Sequence, residues 1–122
     1  MKVSRPCVYI VQDDGERDFS DAEERFGRLV PLVTKADVYA DLRNSRPREI
    51  VRVMRSKLAE FDSSRDYLLL VGDPVAIAIA VNILSEMTDR IQLLKWDNRG
   101  HYYYPIVIGE RRERGATRTS RA

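Results

Sequence analysis

Three groups of side chains in this sequence have the types and spacing to do chemistry. The first is the carboxylate run Asp13, Asp14, Glu16, Asp18, Asp21, Glu23 and Glu24. Asp13 and Asp14 follow the apolar stretch Val8-Tyr9-Ile10-Val11, and an acidic pair at a strand end can bind Mg²⁺ through hard oxygens. With Asp73 as phospho-acceptor and Lys95 as its lysine, the set would form a degenerate receiver-like site. Against that, Asp14 and Asp73 stand 59 residues apart, and Asp14-Gly15 is ordinary turn chemistry. The second group is Gly72-Asp73-Pro74, where a strand meets a helix and backbone N–H groups can hold a phosphate, as in a small nucleotide-binding α/β enzyme. Here Asp73 already supplies the negative partner as a helix cap, and no G-x-G-x-x-G or G-K-[ST] occurs anywhere. The third group is Lys95, Trp96, Arg99, His101, Tyr102, Tyr103 and Tyr104, aromatics interleaved with basic groups on a hairpin.

The third group points to binding rather than turnover. Tyr and Trp beside Lys and Arg suit base stacking with phosphate neutralisation on a single strand. They equally suit a desolvated anchor for a protein partner or for self-association. Arg48, Arg52 and Arg55 recur at helical spacing, and Arg111, Arg112 and Arg114 follow the hairpin, so both sets could extend a phosphate track. The same residues have a purely structural use. Cross-strand aromatic pairs stabilise a hairpin on their own, and Arg-rich helix faces are commonly just solvated. The chain has one cysteine, Cys7, and one histidine, His101. That rules out an internal disulfide, a cysteine-based zinc site and a His-rich metal centre. No nucleophile–base pair can be assembled, so neither an enzyme nor a cofactor or metal is expected.

The elements that must position these groups follow from periodicity. Cys7–Val11 reads as a strand ending in a turn at Asp13-Asp14-Gly15. Residues 19–26 form a short helix with Ser20 as N-cap in an S-x-x-E box and Gly27 as its stop. Arg28–Thr34 is a second strand, and Pro31 places it at a sheet edge or a bulge. Lys35–Asn44 reads as loop. A second helix opens at Arg46-Pro47 with Ser45 as cap, and Ile50, Met54, Leu58 and Phe61 make its buried stripe. Tyr67–Val71 is a fully apolar strand. Val75–Val81 alternates like a strand, but Asp73 as cap, Pro74 at the first position and three alanines favour a helix over Pro74–Thr88, buried on most sides. Leu69 and Ile79 are expected in the core. Ile91–Trp96 and Tyr102–Ile108 flank Asp97-Asn98-Arg99-Gly100, a hairpin with Gly100 in the left-handed position. The sum is a single α/β domain over residues 3–109: a mixed sheet of about five strands with three helices, in the order β-α-β-α-β-α-β-β.

Size and charge agree with that reading. A chain of 122 residues and 14.1 kDa suits one domain and buries about two-thirds of its surface on folding. Hydrophobic residues make up 43% and charged residues 33%, which argues against disorder. The longest apolar run, Val75–Val81, is far too short to span a membrane. The first residues lack a signal-peptide core, so an intracellular, cytoplasmic protein with no membrane contact is expected. Net charge is +2 but unevenly placed. Residues 110–122 hold five Arg and two Glu, and residues 42–57 hold six basic groups against Glu49 alone. Residues 1–41 hold nine acidic groups against six basic ones. The 110–122 segment has no large apolar side chain and is expected to be a flexible Arg-rich tail.

Two stretches also carry a resemblance. Asp66-Tyr67-Leu68-Leu69-Leu70-Val71-Gly72-Asp73-Pro74 with its alanine-rich continuation, and Leu93-Leu94-Lys95-Trp96-Asp97 with Tyr103-Tyr104-Pro105-Ile106, together resemble small proteins encoded by tailed bacteriophages. The likeness spans about the last half of the chain. It implies a phage product acting in the bacterial cytoplasm or carried in the virion, with a host or phage protein, or single-stranded nucleic acid, as partner. It implies no activity and no site residues.

Overall fold

The structure, a computed structural model, describes residues 5–109. The elements are β1 (Cys7–Gln12), α1 (Ser20–Phe26), β2 (Arg28–Val33), α2 (Lys35–Asp41), α3 (Glu49–Leu58), β3 (Tyr67–Leu69), α4 (Pro74–Met87), β4 (Ile91–Asp97) and β5 (Tyr102–Ile108). They build one five-stranded sheet in the order β2-β1-β3-β4-β5. The first four strands run parallel and β5 returns antiparallel to β4. This is the expected α/β class with a mixed sheet. It has four helices rather than three. The expected tail, 110–122, lies outside the described residues.

Each strand feeds two packing layers. On one face Tyr9, Val11, Leu32, Leu68 and Leu93 meet the Ile50, Met54 and Leu58 stripe of α3 and the Ala76, Ala80 and Leu84 side of α4. On the other, Val8, Ile10, Leu69 and Leu94 meet Phe19 and Ala22 around α1. β1 is buried along its whole length because it has strands on both sides and helices on both faces. Phe61 lies beyond the end of α3 yet stays in the core, with its ring 5.5 Å from that of Tyr9.

Several local expectations are corrected. The segment read as loop contains α2, opened by a reciprocal capping box. The Thr34 hydroxyl accepts from the Asp37 N–H, and the Asp37 carboxylate accepts from the Thr34 N–H, both at 3.1 Å. With Val38 as its one buried apolar residue, α2 shows no periodic stripe. Ser20 is not a side-chain cap. It is the first helical residue, and its N–H donates to Asp18 Oδ1 at 2.9 Å. That bond lowers the Asp18 pKa. Ser45 does not cap α3 either: Asp41, itself buried at the end of α2, accepts the Ile50 N–H at 3.0 Å. β3 pairs over three residues, fewer than Tyr67–Val71. α4 is a helix capped by Asp73, whose Oδ1 accepts the Val75 N–H at 2.8 Å, with Pro74 in its first turn. It is buried along one side only. Leu69 is in the core, while Ile79 is half-buried on the flank it shares with Glu86, toward α3. In the hairpin turn the left-handed residue is His101 (φ 58°), not Gly100. Gly100 instead lets the exposed Tyr102 ring lie against the turn, since a Cβ there would push that ring aside.

Proline marks both outer strands, Pro31 in β2 and Pro105 in β5, where its missing N–H costs no ladder bond. At the β2 edge, Lys57 Nζ also donates to the Pro31 and Leu32 carbonyls, at 2.9 and 3.1 Å. Inside the sheet, Asp66 is fully buried. Its carboxylate accepts from the N–H groups of Cys7 (2.9 Å) and Asp62 (2.8 Å) and from Arg65 Nε (3.0 Å), and its carbonyl accepts from Gln92 Nε2 at 3.0 Å.

Two predictions arise from this packing. Asp66→Ala strands two backbone donors, while Arg65, one-third exposed, can turn to solvent, and it should cost about 1–3 kcal/mol for each N–H left without its acceptor. A urea midpoint equal to wild type would show that water replaces the carboxylate. Burial, and then the nearby Asp66 charge, push the Tyr9 phenol from 10.0 up to about 12. Between those values the folded chain keeps a proton that the unfolded chain loses. The contribution of Tyr9 to stability is therefore whole below pH 10 and is lost as pH rises through about 12. Urea midpoints across that window should decline less steeply in Tyr9→Phe, and equal slopes would exclude Tyr9 as the source.

Candidate functional site

The hairpin register sorts its aromatics onto opposite faces. Trp96 pairs with Tyr103, Lys95 with Tyr104 and Asp97 with Tyr102. Trp96 and Tyr103 turn toward α1 and meet edge to face at 4.8 Å, and Phe19 lies 6.5 Å from Tyr103. Arg25 donates to the Tyr103 carbonyl at 2.8 Å. Tyr103 is buried, and this raises the pKa of its phenol. The His101 ring rests 6.1 Å from Trp96. This half of the hairpin is therefore packing, with Trp96 half-exposed at its rim.

The other face is covered at Ile91 and Leu93 and opens toward the turn and the β5 edge. Tyr102 is 44% exposed and touches Tyr104 edge to face at 6.3 Å. Lys95 is exposed directly across from Tyr104, and Arg99 is exposed at the turn, its N–H donating to Asp97 Oδ1 at 3.2 Å. Tyr102, Tyr104, Ile106 and Ile108 follow one another at every second position, so all four stand on this face. Ile108 is 37% exposed. Ile106 and Ile108 were not among the expected binding residues, although the period of two from Tyr102 onward is visible in the sequence. Pro105, between Tyr104 and Ile106 on the edge strand, has no N–H to offer an incoming strand.

The predicted basic track is not assembled. Arg48, Arg52 and Arg55 lie on or at the start of α3, which packs over β2, at the other end of the sheet from β5. Arg52 pairs with Glu49, and Arg55 Nη1 donates to Glu86 Oε1 at 2.8 Å. The Arg55 bond lowers the Glu86 pKa, and each carboxylate raises that of its arginine. Arg48 is exposed at the N-cap. Arg111, Arg112 and Arg114 lie outside the described residues.

A second concave surface joins the acidic turn and Asp73, weighed from the sequence as receiver-like or phosphate-binding groups, to the segment read as loop. The chain leaves β1 toward β2 on the α1 face and leaves β3 toward β4 on the α4 face, so the C-terminal ends of β1 and β3 form a topological switch point, where open α/β sheets bind ligands. A groove of about 1190 Å³ starts beside it at Asp73 and runs past the ends of β1 and β2 and over α2. Its apolar lining includes Pro31, Val38, Tyr39 and Leu42, and its rim carries Asp13, Asp14, Glu16 and Asp73. Lys35 and Arg43 are its basic members, and Arg43 is occupied with Tyr39: its guanidinium lies 5.3 Å from the ring and Nη1 donates to the hydroxyl at 2.8 Å. Buried Gln12 fixes the floor. Its Oε1 accepts the Asp73 N–H at 2.9 Å and its Nε2 donates to Asp14 Oδ1 at 3.1 Å. Gly72 (φ +115°) passes so close to Gln12 that a Cβ would collide with it. Asp73, the phospho-acceptor of the receiver-like reading, is committed to its helix cap, and Lys95 faces Tyr104 on the hairpin. Among the described residues no three His, Cys, Asp or Glu side chains come together to hold a metal, and no helix is long and apolar enough to cross a membrane.

No curated protein and no solved structure matches this chain. One family model does, and it spans residues 6–109, the whole sheet with its helices. The resemblance to phage proteins seen in the last half of the sequence thus extends to the acidic loop and the switch point: the chain belongs to the phage Pam3 gp32-like protein family.

Proposed function

We propose that the protein is a non-catalytic binding module of the infected bacterial cell, and that its docking surface is the open face of the β4–β5 hairpin. The observation that carries this reading is the strip Tyr102, Tyr104, Ile106 and Ile108, exposed at its two ends and half-buried at Tyr104 and Ile106. On that face α3 covers β2 and α4 covers β1. No helix among the described residues lies lengthwise over β5 there, so the next helix lane is vacant. The partner that fits is a protein helix with an apolar face and an acidic border, the border meeting Lys95 and Arg99. Tyr102 and Tyr104 are the anchors, since large amphipathic rings dominate such interfaces. Edge pairing is disfavoured by Pro105, so the partner lies across the strip rather than extending the sheet. The pairing of Arg52 and Arg55 with carboxylates favours a host or phage protein over single-stranded nucleic acid.

A photo-crosslinker at position 108 in infected cells should yield one discrete protein adduct. With that protein purified, Tyr102→Ala with Tyr104→Ala should weaken binding at least about 30-fold, as expected for anchors worth about 2 kcal/mol or more. The urea midpoint of the double variant should stay close to wild type. Adducts to nucleic acid instead, with single-strand affinity falling about 0.7 log units per log unit of salt for each phosphate contacted, would replace the protein reading with the nucleic-acid one.

A further inference from the structure

We propose that the acidic groove at the ends of β1 and β2 receives the Arg-rich segment 110–122 of a second copy, so that copies join head to tail. The groove and the strip on β5 are separate surfaces, and this inference does not rest on the hairpin reading.

Charge complementarity is the first argument. Asp13, Asp14, Glu16 and Asp73 face Lys35 and Arg43 in the groove, an acidic excess of two, while the segment has an excess of three arginines over glutamates. None of the four rim carboxylates has an ion-pair partner among the described residues. Their known bonds are to backbone or amide N–H groups: Gly15 to Asp13, Gln12 to Asp14 and Val75 to Asp73. The lining adds what an arginine stem and guanidinium prefer. Val38 and Leu42 supply an apolar floor, and Tyr39, 67% exposed, offers a ring for a planar cation. Arg43 already uses Tyr39, which shows the ring and cation stacking within this same groove.

Chain geometry favours a neighbour's segment over the molecule's own. β5 is antiparallel to the other strands, so Ile108 pairs with Ile91 at the N-terminal end of the sheet. The groove is at the C-terminal end, three strands away. A strand of this length and three strand spacings put Gly109 more than about 20 Å from the groove in a straight line through the core. Arg111, Arg112 and Arg114 lie within five residues of Gly109 and reach at most about 18 Å. Their own groove is beyond them. Arg118 and Arg121, nine and twelve residues from Gly109, come level with it only when the segment is drawn out around the sheet, whereas a second copy's groove is within reach of all five. Such a contact joins two different patches, so it repeats from copy to copy and gives short chains or a ring.

Sedimentation velocity on the full chain at low salt tests this with two variants. Wild type should show a sedimentation coefficient that rises with protein concentration and returns to the monomer value near 0.5 M salt, as screening requires. Arg111→Ser/Arg112→Ser/Arg114→Ser keeps the groove and loses the plug. Asp13→Asn/Glu16→Gln keeps the plug and weakens the groove. Each should sediment as a monomer alone, and a mixture of the two should form a 1:1 dimer that grows no further. Tyr102→Ala/Tyr104→Ala should associate like wild type. A wild-type chain that stays monomeric at low salt overturns the proposal. So does a mixture that remains monomeric, or loss of association in the tyrosine variant, which would place the self-contact on the hairpin strip.

Discussion

A single buried carboxylate holds the N-terminal end of the sheet together. Asp66 precedes β3, takes the first N–H of β1 and the turn N–H of Asp62, and presents its own carbonyl to Gln92 of β4. Three of the five strands therefore meet at one residue. A buried charge is tolerable only when its lone pairs are filled, and here backbone donors and the Arg65 guanidinium fill them. At the opposite end Gln12 acts in the same way on a smaller scale, tying β1 to the β3–α4 connection and to the acidic loop. The interior strands lie between these two ties. Both surfaces that matter for binding are set by that arrangement, the hairpin through β4 and the groove through the end of β1.

What was legible in the sequence was whatever repeats. The apolar run of β1, the four-four-three spacing of α3, the Asp73-Pro74 helix start and the alternation through the hairpin are local patterns with one physical reading each. Pro31 allowed its strand an edge or a bulge, and the structure has it at the edge. What was not legible acts across distance. Asp41 caps α3 from another helix, nine residues away. Asp66 bonds Cys7 across 59 residues. Neither side chain differs in sequence from a solvated aspartate. α2 escaped because two turns with one buried valine have no period to detect.

The site shows the same division. Alternation makes it certain that the hairpin tyrosines split between two faces, but not which face is covered. That depends on α1 reaching across to Tyr103. The expected arginine track failed for a similar reason. Arg52 and Arg55 share a helix face with spacing suited to phosphates, and they are paired because glutamates stand opposite, one on α3 and one on α4. The groove required α2 and the crossing of two connections, neither of which a linear pattern contains.

The strand order has a consequence for how the chain acquires its shape. β1 is synthesised first but belongs to the interior of the sheet, and its inner neighbour β3 begins only at Tyr67. Until that segment exists, β1 is an apolar ribbon with one unpaired side, and the carboxylate that takes its first N–H has not been made. The hairpin of β4 and β5 is the opposite case, with its pairing closed over a four-residue turn. Folding of the parallel half is thus governed by distant pairings, which slow the search, while the last-made part of the sheet can order locally. A nascent or truncated chain ending before β3 would expose a ready template for aggregation.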